Sequence, residues 1–276
     1  MTENTMLFVC PKCGEPLAPD GARAICKGGH SYDRSREGYY NLLLGSRGGT
    51  HGDNREMVLA RRAFLSGGYY EPLAKRVSEA TLSVTPTGGA VLDAGSGEGY
   101  YTDAVERALF ERDGKTCVLA FDISKDAVRE VARKNKRISL AVAGSYHMPI
   151  SDGRIDTVLN TFSPLAISEV GRVLRTEGAF VMAIPGEEHL YDLKCRVYDT
   201  PYKNTVSDTA IDGFSLSASE HIKYKFTLDS REKVKNLFMM TPYAYRTSAE
   251  GRERVLSLSS LTTEVAFRIL DYEKLD

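Results

Sequence analysis

The sequence predicts an α/β fold: a parallel sheet with helices on both faces, preceded by a small metal-stapled module. Three observations carry this. From residue 90 onward, short apolar runs alternate with segments of helical periodicity, the pattern of a parallel sheet. A glycine-rich turn, Gly95-Ser-Gly-Glu-Gly99, follows the first of those runs. Three of the five cysteines and a histidine crowd into residues 10–30. With 276 residues, 42% apolar and 26% charged, the chain can bury a sizeable core, which argues against disorder or low complexity. Its longest strongly apolar runs, such as Phe180 to Pro185, hold about six residues against the ~20 of a membrane helix. Met1-Thr2-Glu3-Asn4 has no basic patch ahead of an apolar core, so no signal peptide is expected and the chain reads as cytoplasmic.

Cys10, Cys13, Cys26 and His30 have the spacing C-x2-C-x12-C-x3-H. An odd cysteine count in a cytoplasmic chain argues against a disulfide framework. Two short turns, each offering two ligands, suit tetrahedral zinc, and Gly14 supplies the permissive backbone that the first turn wants. Four protein ligands leave no open position, so the metal is expected to be structural. It would fold a segment with too little core of its own. Tyr32, Tyr39 and Tyr40 follow, and packing of the thin module is the favoured role for most of them. Stacking on unpaired bases is the alternative. Cys117 and Cys195 read as core residues. Between Arg23 and Arg62 there are eight Lys/Arg and four Asp/Glu, a local excess of about +4 on a chain of net charge -1. Gly45-Ser-Arg-Gly-Gly-Thr-His-Gly52 reads as a flexible link, dividing the chain into 1–45 and 46–276.

Asp53-Asn54 can cap a helix through Leu65, ended by Gly67-Gly68, and a second helix follows Tyr70 with Pro72 in its first turn. These linker helices occupy residues 53–85. Strands are expected at Ala90–Asp93, Val118–Asp122, Ile138–Ala143, Ile155–Asn160 and Gly178–Ile184. Helices are expected from Tyr100, from Asp126 to Lys134 behind a Ser124 cap, and over Ala166–Leu174. Later strands near 219–228 and 262–272, with a helix from Ser230 to Met240 between them, would add an antiparallel edge.

Sheets of this kind bind ligands beyond the carboxyl ends of their strands, at the switch point. Gly95, Gly97 and Gly99 sit at one such end and let backbone approach a ligand. Asp122 ends the next strand, 23 residues after Gly99, where a carboxylate can accept both hydroxyls of a ribose. A dinucleotide loop reads G-x-G-x-x-G/A, whereas here the third glycine comes one residue early and Asp93 precedes the loop. A strand ending V-L-D-x-G-x-G-x-G marks S-adenosylmethionine (SAM) methyltransferases and favours SAM over NAD. Asp93 can help orient the ammonium of SAM.

Taken together, these residues resemble the RlmA (RrmA) family of 23S rRNA (guanine-N1)-methyltransferases. The likeness covers nearly the whole chain. It runs through the Cys10/Cys13/Cys26/His30 quartet, Glu37-Gly-Tyr-Tyr-Asn-Leu-Leu43, Ala60-Arg-Arg-Ala-Phe-Leu65 and Leu92-Asp-Ala-Gly-Ser-Gly-Glu-Gly-Tyr-Tyr-Thr102. It continues in Pro185-Gly-Glu-Glu-His-Leu190 and Met240-Thr-Pro-Tyr-Ala-Tyr-Arg246. The resemblance implies a Rossmann-like class I SAM-dependent methyltransferase domain behind a zinc-binding RNA-recognition domain. It also implies that Tyr70, Gly99, Tyr100 and His189 join Asp93, Gly95, Gly97 and Asp122 around SAM. It implies a hairpin of 23S rRNA as partner, and it is compatible with a homodimer. Ser96 stands where some relatives have Cys, which is harmless if the backbone makes the contact. Asn160-Thr-Phe-Ser-Pro164 is only loosely like the Asn-Pro-Pro-Tyr loop of amino-methylating enzymes, and that mechanism is not assigned.

Methyl transfer from a sulfonium is an in-line displacement in which the enzyme mainly aligns and desolvates. Guanine N1 carries a proton that must leave at or before attack, so a general base is chemically reasonable. Glu187, Glu188, His189 and Asp192 are candidates among which the sequence does not choose. Two rival readings stand beside this one: a zinc-containing methyltransferase acting on a small molecule, and an RNA-binding factor that kept the fold without the chemistry.

Overall fold

The computed structural model describes residues 7–44, 52–206 and 209–275; the start of the chain and all but the last residue of the Gly45–Gly52 link lie outside them. Strands β1 (Ala18–Asp20), β2 (Arg23–Ile25) and β3 (Ser31–Asp33) form a small antiparallel sheet, and β4 (Tyr40–Asn41) follows. Helix α1 (Arg55–Leu65) starts at Asn54, whose side chain accepts a hydrogen bond from the Met57 amide at 3.0 Å. Helix α2 (Glu71–Val84) carries Pro72 in its first turn, where a missing N–H costs nothing.

The expected alternation then appears: β5 (Ala90–Ala94), α3 (Tyr100–Arg112), β6 (Cys117–Asp122), α4 (Lys125–Lys134), β7 (Ser139–Val142), β8 (Ile155–Thr161), α5 (Ile167–Val173) and β9 (Leu174–Pro185). Helix α6 (Tyr191–Val197), β10 (Phe214–Leu228), α7 (Arg231–Met239), α8 (Ala249–Leu256) and β11 (Leu261–Lys274) complete the fold. The large sheet has the order β10-β11-β9-β8-β5-β6-β7-β4. Strands β4 to β9 pair in parallel within it, while β11 runs antiparallel to β9 and to β10. The chain steps outward from β5 to β7 and then returns to β8 on the other side, which makes the β5/β8 boundary the switch point. Side chains are buried on both faces, Val91, Ala120, Leu159 and Val181 on one and Leu92, Phe121, Val158 and Phe180 on the other, which explains why the central strands read as continuous apolar runs.

Two expectations change. The fifth parallel strand begins at Leu174 rather than Gly178. Leu174 pairs with Ile155, pairing resumes at Thr157–Ala179, and Glu177 takes a left-handed φ of 59° to absorb the extra residues. The preceding helix is correspondingly shorter. Cys195 is no core residue: it lies on the exposed side of α6, while Cys117 is half-buried.

The zinc-type module is attached to the sheet rather than hung from it. Tyr40 and Asn41 register against Ala141 and Val142, and the Leu42 amide donates to the Val142 carbonyl at 2.9 Å. At the module's other end the Val9 amide donates to the Pro149 carbonyl at 2.8 Å. Arg129 on α4 reaches Glu37 at 2.7 Å. Tyr39 and Tyr40 are buried in this junction, so they pack as expected.

Candidate functional site

The first site is the ligand quartet. The metal-binding atoms of Cys10, Cys13, Cys26 and His30 all lie within 4.8 Å of one another. Cys13 and Cys26 sulfurs are 3.6 Å apart, and His30 Nδ1 is 3.4 Å from Cys10 Sγ and 3.5 Å from Cys26 Sγ. A tetrahedral zinc with Zn–S of ~2.3 Å and Zn–N of ~2.0 Å sets its donors at about this separation. The two turns that deliver them close through Gly14 and Gly29, both at positive φ, with their amides donating to the Cys10 and Cys26 carbonyls at 2.8 and 2.9 Å. The Tyr32 hydroxyl lies 3.1 Å from Cys10 Sγ, where it can steady a thiolate from outside the ligand set. Three thiolates and an imidazole at this spacing fit zinc and leave it no open position, so its contribution is folding rather than chemistry.

The second site gathers at the carboxyl ends of β5 and β6. The amides of Gly95 and Ser96 both donate to the Phe121 carbonyl at 3.0 Å, and that of Gly97 donates to Asp122 Oδ2 at 2.9 Å. Gly99, at φ 82°, is the N-cap of α3. A Cβ there would sit 2.7 Å from Val131 Cγ2, and one at Gly95 would sit 2.4 Å from Ser163 Cβ, so neither position has room for a side chain. Asp122 is half-buried; its Oδ1 accepts from the Ser124 amide at 2.7 Å, and burial pushes its carboxyl up. Each of its oxygens keeps a free lone pair for a hydroxyl.

Asp93 is 2% exposed. Its Oδ2 accepts from the Thr102 hydroxyl at 2.5 Å, while Oδ1 is buried with no hydrogen-bond partner. Burial, partly opposed by Thr102 and assisted by the charges of Asp122 and Glu98, pushes the carboxyl up to about 7. Ser96 Oγ and Glu98 Oε1 are also buried without partners. Such orphaned oxygens beside a tight glycine turn fit a ligand that brings its own ammonium donors, as the amino-acid end of SAM does.

Tyr70 and His189 form a second wall. Tyr70 Oη and His189 Nε2 lie 3.3 Å apart across 119 residues, and both side chains are buried. Phe267 packs against both, at ring-centroid distances of 5.0 and 4.7 Å. Burial drives the His189 imidazole down to about 3, so it stays neutral. Tyr100 is half-buried beside a cavity of about 350 Å³ that it lines with Glu98, Arg62 and Arg133.

The four candidate bases fare unevenly. Hydrogen bonds from Lys223 and Lys203 hold the Glu188 carboxyl down at about 2, and His189 is equally weak as a proton acceptor near neutrality. Glu187 is exposed beside Lys203, and Asp192 accepts from the Glu264 amide at 2.9 Å. Thr102, Tyr101 and Phe162 also stand at the site, although the sequence pattern does not mark them as site residues. Asn160-Thr-Phe-Ser-Pro164 is the one sequence signal that points toward Phe162.

Comparison with known proteins agrees with this geometry. Residues 8–44 match the zinc-ribbon family described as RlmA, N-terminal, and residues 91–178 match a methyltransferase domain family. A 23S rRNA (guanine-N1)-methyltransferase by name, from Micromonospora griseorubida, is 34% identical over 95% of this chain and 96% of its own. The 23S rRNA (guanine(748)-N(1))-methyltransferase of Streptomyces fradiae is 35% identical over 70% of this chain and 69% of its own. A relative in Bacillus subtilis with a 23S rRNA (guanine-N1) name is 30% identical over 98% of each chain. A Cys3His zinc ribbon built onto the edge of a SAM-type parallel sheet, matched end to end by such relatives, makes this chain a member of the RlmA family of 23S rRNA (guanine-N1)-methyltransferases.

Proposed function

We propose that this chain transfers a methyl group from SAM to N1 of a guanine in a hairpin loop of 23S rRNA, working in the cytoplasm. The observation that carries the reading is the pairing of a zinc ribbon with a glycine loop whose neighbouring carboxylate, Asp93, is buried with one oxygen unpaired. The residue roles follow from that pairing. Asp93 Oδ1 would meet the ammonium, and Asp122 the ribose hydroxyls. Gly95, Gly97 and Gly99 would let backbone approach, and Tyr100, Tyr70 and His189 would line the pocket. When bound, SAM supplies a methyl group on a positively charged sulfur. The protein aligns the base, excludes water and accepts the N1 proton at a group of higher proton affinity than Glu188 or His189 offers.

The ribbon would hold the RNA. Lys27, Arg34 and Arg36 are exposed there and, among the described residues, have no carboxylate within ion-pair distance. Arg23 and Arg61 are instead paired with Asp20 and Asp53. Unpaired bases in a loop look alike to a small pocket, so the hairpin's shape should supply most of the selectivity. A cleft shared by two subunits would suit that shape, and sedimentation measures whether two copies associate.

The test is methylation of 23S rRNA by the purified protein, with mass spectrometry of the digested RNA. We expect a single N1-methylguanosine and RNA binding that weakens steeply with salt. Methyl transfer to no RNA, with SAM still bound, would favour a small-molecule substrate.

A further inference from the structure

We infer that Phe162 is the platform on which the target base stacks, a role that rests on the function proposed above. Phe162 is the first residue beyond β8, at the switch point. The next residue, Ser163, fills the space beside Gly95, so Phe162 stands next to the loop that would hold the methyl donor. It is 42% exposed, unlike the rings behind it. Tyr101, Phe267 and His189 are buried, with centroids 6.0, 5.7 and 6.4 Å from that of Phe162. The result is one apolar ring, open to water and backed by a buried aromatic wall.

The backbone at Phe162 adds an independent observation. Its φ is 57°, in the left-handed region that bulky residues avoid. The turn is held there from several sides. The Phe162 amide donates to the Ala183 carbonyl at 3.1 Å, Ser163 Oγ donates to the Ala94 carbonyl at 2.5 Å, and Asn160 Nδ2 donates to Ser163 Oγ at 2.6 Å. Strain held in place by surrounding structure clusters at functional sites. Here it leaves the phenyl ring exposed beside the Gly95 turn rather than buried. A purine has a wide π-face, and stacking it on a fixed ring would leave its N1 edge free to face the donor beside Gly95.

The experiment measures single-turnover methylation of a 23S rRNA hairpin by wild type, Phe162→Leu, Phe162→Tyr and Phe162→Trp, with SAM affinity by calorimetry. Leucine keeps the bulk and the backbone strain but lacks the π-face. We expect Phe162→Leu to lower the rate by roughly 5- to 150-fold, the size of one base–aromatic stack, with SAM affinity unchanged. Tyrosine and tryptophan should retain most of the rate. A leucine variant as fast as wild type overturns the inference. So does equal loss in all three variants together with weakened SAM binding, which would make the ring a packing element only. If wild type methylates no RNA, the proposed function fails and this role fails with it.

Discussion

Asp93 sits at the end of β5 with one oxygen paired to Thr102 and the other to nothing. Its carboxyl holds a proton up to about 7 in the folded chain, far above its value in the unfolded chain. Between those two values the native state binds the additional proton, so the ligand-free fold loses stability as pH rises through that window. Asp93→Asn should therefore melt higher than wild type at pH 8 while binding SAM roughly 10- to 100-fold more weakly, the worth of a hydrogen bond to a charged group. Calorimetry across pH adds a second readout. Wild-type affinity should fall below about pH 7, where the ammonium must displace a proton, and the Asn variant should lack that dependence. A flat wild-type profile would remove Asp93 from the ammonium site. At this scale the sequence was informative where chemistry is local: four ligands within 21 residues, three glycines within five. Thr102 lies one helical turn from the loop, and nothing local in the sequence ties it to Asp93. The Tyr70–His189 contact spans 119 residues, and only the family resemblance pointed to those two side chains. The orientation of Phe162 depends on a left-handed turn that an ordinary residue pattern does not announce.

Among the elements, the loop between β5 and α3 is tied to α4 by lack of space. Gly99→Ala would press a methyl group against Val131 and force alanine into a left-handed φ of 82°. We expect a loss of about 1–3 kcal/mol in stability, read from urea unfolding. Adding Val131→Ala should recover the steric part but not the backbone part, giving a favourable coupling in the double-mutant cycle. Independent, additive losses would show that the two elements do not meet. The strand–helix alternation that frames this loop was legible because the central strands are buried on both faces. The outer pair, expected near 219–228 and 262–272, is longer than its apolar pattern suggests. β10 runs from Phe214 to Leu228 with one face open to solvent, so its polar half, Ser215 to Glu220, carries no apolar run to mark it. Helices α6 and α8, with seven and eight residues, are too short to show a periodic face.

Across the whole molecule, the zinc ribbon covers the free edge of β7 with β4 and thereby shields an edge that could otherwise recruit another strand. Chelating the metal should lower the melting temperature and strip hydrogen-exchange protection from β7 and the ribbon before the centre of the sheet. Exchange mass spectrometry would register it, and unchanged protection in β7 would mean that the ribbon folds without its metal. No sequence pattern foretold this attachment, because a two-residue strand has no periodicity to read. The same attachment fixes a length. If the ribbon grips RNA as proposed, its lacing to β7 through backbone amides makes the path from that grip to the methyl donor a span of folded protein, not a tether. Choice of nucleotide would then work like a ruler: the base that reaches the donor would be the one lying at the right number of steps from the grip.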